Sequence, residues 1–120
     1  KPDYETTEFM VENIAAIYRL CGDTYNVHVD TAYAQSCGYE KTFIMGLCTY
    51  GFATRILIQQ VMPYQPERVK HISAQIRSLC FPGQDVTVQT WKVEEGTLYF
   101  KMTDSDGRLL LGNGLMEYEV

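Results

Sequence analysis

Two residues in the stretch GDTYNVH could do acid–base chemistry: Asp23 and His28, five positions apart. A carboxylate and an imidazole that converge can hold a water molecule, take a proton from it and pass one on. Spacing alone leaves two readings open. Asp after Gly in a loop is also a common turn residue or cap, and a lone His among apolar neighbours is commonly a hydrogen-bonded wall residue. The other histidine, His71, lies on a strand-like segment with nothing comparable beside it. Twenty-three residues after Asp23, Gly46 opens a long apolar run. Its N–H would then lie at a helix start, a natural place for a carbonyl oxygen that is acquiring negative charge.

The elements that must position these groups can be read from periodicity. EFMVENIAAIYRLCG places Met10, Ile14, Ile17, Tyr18 and Cys21 at helical spacing, with Gly22 as the stop. Asp30 reads as the N-cap of a short helix, DTAYAQSCG, closed by Gly38. DTYNVHV therefore connects two helices, in an irregular segment of the kind that holds reactive side chains on a scaffold. GLCTYGFATRILIQQVMP, Gly46 to Pro63, carries apolar residues almost all the way round a helical wheel, which predicts a buried helix ended by Pro63 and Pro66. Beyond the prolines the period becomes two. Segments through Ile72–Ala74–Ile76, Val86–Val88, Leu98–Phe100–Met102 and RLLLGNGLMEYEV predict an antiparallel meander of at least four strands. Glycines inside the last strand predict a bulge or a close backbone approach. Wrapping the sheet around the helix is the economical packing, an α+β architecture.

Composition narrows the function. The chain has 120 residues, 46% apolar and 21% charged, with a net charge of −5. That describes an ordinary globular chain and argues against nucleic acid, which requires clustered Lys and Arg. The modest basic group Arg68, Lys70, His71 and Arg77 lies on a strand-like segment and suits either solvent or the phosphates of a small ligand. Cys21, Cys37, Cys48 and Cys80 show no zinc-type spacing and read as reduced thiols of an intracellular protein. No signal peptide, membrane-spanning run or C-terminal targeting tripeptide is visible. The abrupt start at KPDYETTEF suits a fragment of something longer.

The segment YRLCGDTYNVHVDTAYAQSCGYEKTFIMGLCTYGFATR, Tyr18 to Arg55, resembles the (R)-specific 2-enoyl-CoA hydratases of the MaoC-like dehydratase family. It looks particularly like the hydratase part of peroxisomal multifunctional β-oxidation enzymes. That family carries Tyr-Arg-x-x-Gly-Asp-x-Asn-Pro-x-His and, later, Pro-Ile-x-His-Gly-Leu-Cys-Thr-x-Gly. The resemblance continues more loosely through Pro82–Gly83–Gln84 and Trp91 to the C-terminus. It implies a hot dog fold: a curved antiparallel sheet around one long central helix, here one hot dog domain over residues 1–120, or the C-terminal half of a double hot dog. It implies hydration of a trans-2-enoyl-CoA to an (R)-3-hydroxyacyl-CoA in fatty-acid metabolism. Asp23 would be the base toward water, His28 the proton relay, and the Gly46 N–H the site for the thioester oxygen. Tyr25, Asn26, Met45 and Leu47 would border the substrate, and Lys70 and Arg77 its nucleotide end. Coenzyme A would be the substrate's carrier, with no other cofactor and no metal. A homodimer, or pairing with a second hot dog domain, is expected, in a peroxisome or the cytoplasm.

The departures from the family pattern are specific. Tyr25 and Asn26 stand where it has Asn and Pro, Met45 where it has His, and Thr42 where it has Pro. Asn26 could replace the family's Asn only through a one-residue shift of the loop. Basic strand positions fall on Gln75 and Ser78, and Arg77 is read as a neighbour on the opposite strand face. Two alternatives therefore stand beside the hydratase. One is a catalytically impaired module that binds acyl-CoA or serves as a structural half; the other is an acyl-CoA thioesterase, which the same fold supports.

Overall fold

Residues Gly46–Val61 form the one long helix, named α3 here. Ala53, Ile56 and Leu57 fall at i, i+3 and i+4 and are completely buried, and Cys48 and Thr49 extend that face toward the helix start. The computed structural model describes every residue from Lys1 to Val120. Five antiparallel strands, β1 (Tyr4–Met10), β2 (Val69–Ile76), β3 (Gln84–Glu94), β4 (Thr97–Thr103) and β5 (Leu109–Tyr118), form one sheet in the order β1-β3-β4-β5-β2. Its inner face meets α3 with Val86 and Val88 of β3, Leu98, Phe100 and Met102 of β4, and Leu110, Leu111 and Met116 of β5. Each such side chain contributes about 1.5–3 kcal/mol by leaving water, which makes this interface the main source of stability.

Polar contacts fix the helix against the sheet's β1 side. Arg55 pairs with Glu8 at 2.6 Å. Gln60 donates to Thr6 Oγ1 at 2.8 Å and accepts from the buried Thr90 hydroxyl at 2.7 Å. At the β4–β5 turn the buried Asp104 carboxylate accepts from the backbone N–H groups of Asp106 and Arg108 and from Arg108 Nε. Burial raises its pKa, but these hydrogen bonds outweigh that and hold it below the ordinary value.

The α+β hot dog architecture is present, with three differences from the sequence expectation. Residues Tyr4–Met10 are a strand, and Met10 ends it inside the core; the following helix, α1, covers only Ile14–Tyr18 before a 3-10 turn at Arg19–Cys21. The alternation in YETTEFM is carried by Thr, Glu and Tyr, so its hydrophobic signal is weak. Second, the expected meander holds only for β3, β4 and β5: β2 crosses over to pair with β5 instead of β3, and β1 adds a fifth strand beside β3. Third, α3 is not covered all round: Leu47, Gly51, Arg55 and Gln59, spaced by four, form an exposed stripe. Asp30 does cap the short helix α2 (Thr31–Ser36), accepting the Tyr33 N–H at 3.1 Å. Gly38, at φ +92°, closes it. No helix is long and apolar enough to cross a membrane.

The glycines of β5 do mark a bulge. Asn113 has φ +51°, the register with β2 shifts between Ser73 and Gln75, and a Cβ at Gly114 would stand 2.6 Å from the Phe100 carbonyl oxygen. Backbone cannot yield there as a flexible side chain can. Gly114→Ala should therefore cost about 1–3 kcal/mol, measured by urea unfolding; an unchanged midpoint would contradict this account of the bulge.

Candidate active site

The segment from Cys21 to Met45 builds the site in three steps. Gly22 adopts φ +111°, which turns the chain out of the α1 region and delivers Asp23 to the surface. One Asp23 carboxylate oxygen accepts the Tyr25 N–H at 3.3 Å, an Asx-type turn. A 3-10 turn over Asn26–His28 follows, anchored by the buried Val27. Asn26 Oδ1 accepts from Arg19 Nη2 at 3.3 Å, tying the turn back to the preceding helical segment.

His28 is half-buried and lies outside the core cluster. Its Nδ1 lies 2.8 Å from the Phe43 carbonyl oxygen. A carbonyl can only accept, so Nδ1 carries the proton, and in the neutral ring Nε2 is left as an acceptor. No protein group bonds to Nε2. Rings hold the imidazole on two sides: Tyr25 at 5.8 Å and Phe43 at 5.0 Å between centroids, both edge-on. Tyr33 packs on Tyr25, and Tyr39 on Phe43, extending this aromatic wall. Cys37 and then Tyr33 push the Tyr25 hydroxyl above its ordinary pKa, so it stays protonated at neutral pH.

The chain then enters α3. Ile44 N–H donates to the Cys80 carbonyl at 2.7 Å, and Ile44 and Met45 are both buried. Met45 supplies no side-chain cap. The first backbone bond of the helix runs from Thr49 N–H to the Met45 carbonyl. The N–H groups of Gly46, Leu47 and Cys48 thus have no partner within the helix, as at any α-helix start. A Cβ at Gly46 would stand 2.9 Å from Ile76 Cδ1, so glycine permits the close passage of β2. The segment therefore carries a carboxylate with one oxygen left over, an imidazole with a free acceptor nitrogen, and a helix start with donors unpaired within the helix. Groups of these types can, where they face one substrate, activate water and stabilise an oxyanion.

Not every expected site residue belongs to this group. Tyr25, Asn26, Met45 and Leu47 lie in its loop or at the helix start; Met45 is buried, whereas Leu47 is 70% exposed. Lys70 sits at the other end of β2 from Ile76 and pairs with Glu119 at 3.0 Å, away from Gly46. Arg77 shares a face with Gln75, to which it donates at 3.4 Å, rather than lying opposite it. The Phe43 carbonyl, which sets the imidazole, was missed because a backbone acceptor leaves no mark in sequence. Tyr33 and Tyr39 were visible only as parts of a helix and a loop. Of the cysteines, Cys48 and Cys80 are buried; burial pushes the Cys80 thiol up to about 11, leaving it unreactive. No group of three His, Cys, Asp or Glu residues could hold a metal ion. The one cleft of the fold, 520 Å³, opens elsewhere, on the outer face of the sheet. It contains no acid–base pair.

A single long helix laid in a curved antiparallel sheet, with an Asp–His loop docked ahead of the helix start, defines the hot dog class. The chain belongs to the MaoC-like domain family, whose model matches residues 1–110. It is 32% identical to a Dictyostelium discoideum protein named probable enoyl-CoA hydratase 2, over 95% of this chain and 40% of that one. It is also 32% identical to mouse peroxisomal multifunctional enzyme type 2, over 97% of this chain and 16% of the relative. Among solved structures, a MaoC-like dehydratase from Phytophthora capsici superposes with a TM-score of 0.94 at 29% identity, over 99% of this chain and 41% of that one. The chain thus spans two fifths or less of the length of these relatives.

The tautomer is directly measurable. Nitrogen NMR of the neutral His28 ring should show the proton on Nδ1, and removal of the Phe43 carbonyl bond is the only local route to the other tautomer. A proton found on Nε2 would contradict the arrangement described here.

Proposed function

We propose that this domain hydrates trans-2-enoyl thioesters of coenzyme A to (R)-3-hydroxyacyl thioesters, and catalyses the reverse dehydration. The observation that carries this reading is the His28 Nδ1 bond to the carbonyl of Phe43, three residues before the unpaired Gly46 N–H, which leaves Nε2 as an acceptor. In the forward direction Asp23 and His28 Nε2 hold one water. Asp23 takes a proton as the water oxygen bonds to the β-carbon, and electron density moves to the thioester oxygen at the Gly46 N–H. His28 Nε2 receives that proton from Asp23 and passes it to the α-carbon as the enolate collapses, which returns both groups to their starting states. Atoms balance as one water added across the double bond. The face on which water and proton are delivered determines the (R) product, and both groups coming from one loop accord with delivery to a single face. The names of the relatives, enoyl-CoA hydratase 2 and peroxisomal multifunctional enzyme type 2, support the same chemistry.

The domain acts, in this reading, as one half of a hot dog pair. β2 is an edge strand, and unpaired edges invite another strand. Apolar side chains at its end and at the helix start are open, Ile76 at 58% and Leu47 at 70%. A second copy, or another hot dog segment, would cover this region and wall the site.

Two experiments test these statements. In a crotonyl-CoA hydration assay, Asp23→Asn should lower kcat by about 10²–10⁴-fold, the usual range for a positioned general base. Wild-type activity that survives this change intact would remove Asp23 from the mechanism. Absence of wild-type activity, with coenzyme A esters still bound, would favour the binding module instead. Separately, mass measurement at micromolar concentration should give a dimer for the isolated domain, and a stable lone monomer would count against pairing through β2.

A further inference from the structure

The ring system around His28 is larger than the imidazole needs. Rings follow one another edge-on in the order Tyr33, Tyr25, His28, Phe43, Tyr39, with centroid separations of 5.9, 5.8, 5.0 and 4.8 Å. Tyr25 and Phe43 touch the imidazole and suffice to hold it. Tyr33 and Tyr39 pack only on those two neighbours and carry the row outward. Tyr25, Tyr33 and Tyr39 remain 53%, 40% and 39% exposed, so the row is an open aromatic surface and not a closed cluster. Apolar side chains exposed singly are ordinary, whereas contiguous ones mark a binding surface.

The backbone under these tyrosines is fixed. The Tyr25 N–H donates to Asp23 Oδ1, the Tyr33 N–H to the Asp30 cap of α2, and the Tyr39 N–H to the Ala34 carbonyl at 3.0 Å. A surface held in place before its ligand arrives loses little entropy on binding. Tyr25 also stands where the family pattern has Asn, so this ring is a feature of the present chain.

We propose that the domain selects 2-enoyl thioesters whose acyl group carries an aromatic ring, with Tyr25 and Tyr33 as the residues that determine this preference. The inference rests on the hydratase reading for the position of the β-carbon and adds the class of acyl group. The connectivity of the substrate decides which part meets the rings. Water held at His28 Nε2 bonds to the β-carbon, so the substituent on that carbon begins beside the imidazole. The Phe43 side of the imidazole leads within three residues to Gly46, where the thioester oxygen is held. Across a trans double bond the substituent points away from the thioester, and so leaves on the Tyr25 side, toward Tyr33. An alkyl tail there gains burial alone; an aromatic ring gains in addition the edge-to-face attraction that already orders the row.

Hydration of 5-phenyl-2-pentenoyl-CoA and of its 5-cyclohexyl counterpart tests this. The methylenes between ring and double bond keep the intrinsic reactivity of the two esters equal, and the rings are close in size. Wild type should favour the phenyl ester in kcat/KM by about threefold to tenfold, the range expected of one aromatic pair. Tyr33→Leu, which leaves both rings that touch His28, should bring the ratio close to one, as should Tyr25→Leu, with folding checked by circular dichroism. A merely structural role would lower both esters alike and keep the ratio, which overturns the proposal. A wild-type ratio of one, with crotonyl-CoA still hydrated, also overturns it and leaves the hydratase reading standing. No hydration of any ester would reject the hydratase reading. Calorimetric binding of the saturated 5-phenylpentanoyl and 5-cyclohexylpentanoyl esters then decides for the rings: a phenyl preference lost in Tyr33→Leu supports the aromatic selectivity, and equal binding overturns it.

Discussion

The candidate site depends on how four residues, Phe43 to Gly46, are held between a loop and a sheet edge. The Phe43 carbonyl faces His28, the Ile44 N–H faces the Cys80 carbonyl, and the buried Ile44 and Met45 side chains prevent the segment from rotating. One short run of backbone thereby sets the imidazole tautomer on one side and aims the helix start on the other. Buried backbone groups must find partners, and here the pairing that satisfies them also fixes the His28 ring. Replacement of polar side chains nearby, as at Met45, leaves this backbone scaffold in place.

The rest of the fold serves that arrangement through burial. α3 is kept at a fixed height by Ala53, Ile56 and Leu57 against β3, β4 and β5, and is prevented from sliding toward solvent by Arg55 on Glu8 and by Gln60 between Thr6 and Thr90. Only the stripe from Leu47 to Gln59 escapes cover. That stripe begins next to Gly46, so the least covered part of the helix adjoins the groups that would do chemistry. A functional surface placed there keeps access open without weakening the core.

The two faces of the sheet divide the labour. The inner face is apolar and continuous, and its role is packing. The outer face is interrupted by the bulge at Asn113, beside Gly114, whose missing side chain leaves room for its paired, inward-facing Phe100. A bulge displaces strand pairing and leaves a concavity, and on this face it lies among Trp91, Tyr99 and Leu115. β2 joins the two: Ile76 touches Gly46 on the inside, while Ser73 and Gln75 point outward. A single edge strand thus separates the helix start from the outer cleft.

Local chemistry was legible in the sequence wherever one residue type suffices. Asp30 as a cap, Gly22 and Gly38 as stops, Gly46 as a helix start, and the glycine bulge in β5 all follow from the conformations those residues permit. Periodicity gave α3 and the strands β2 to β5, because a buried face repeats, but not that β2 pairs with β5 instead of β3. It failed at β1, where an edge strand half-buries Thr, Glu and Tyr and so lacks an apolar alternation. It also overstated the cover on α3, since a helical wheel counts apolar residues but not the neighbours available to them. The pairing of Asp23 and His28 in one loop could be read from spacing. Which nitrogen of His28 is free and the separation of Lys70 from Gly46 could not. These depend on a backbone carbonyl fifteen residues away in the chain, on strand direction and on register, which exist only once the sheet has closed over the helix.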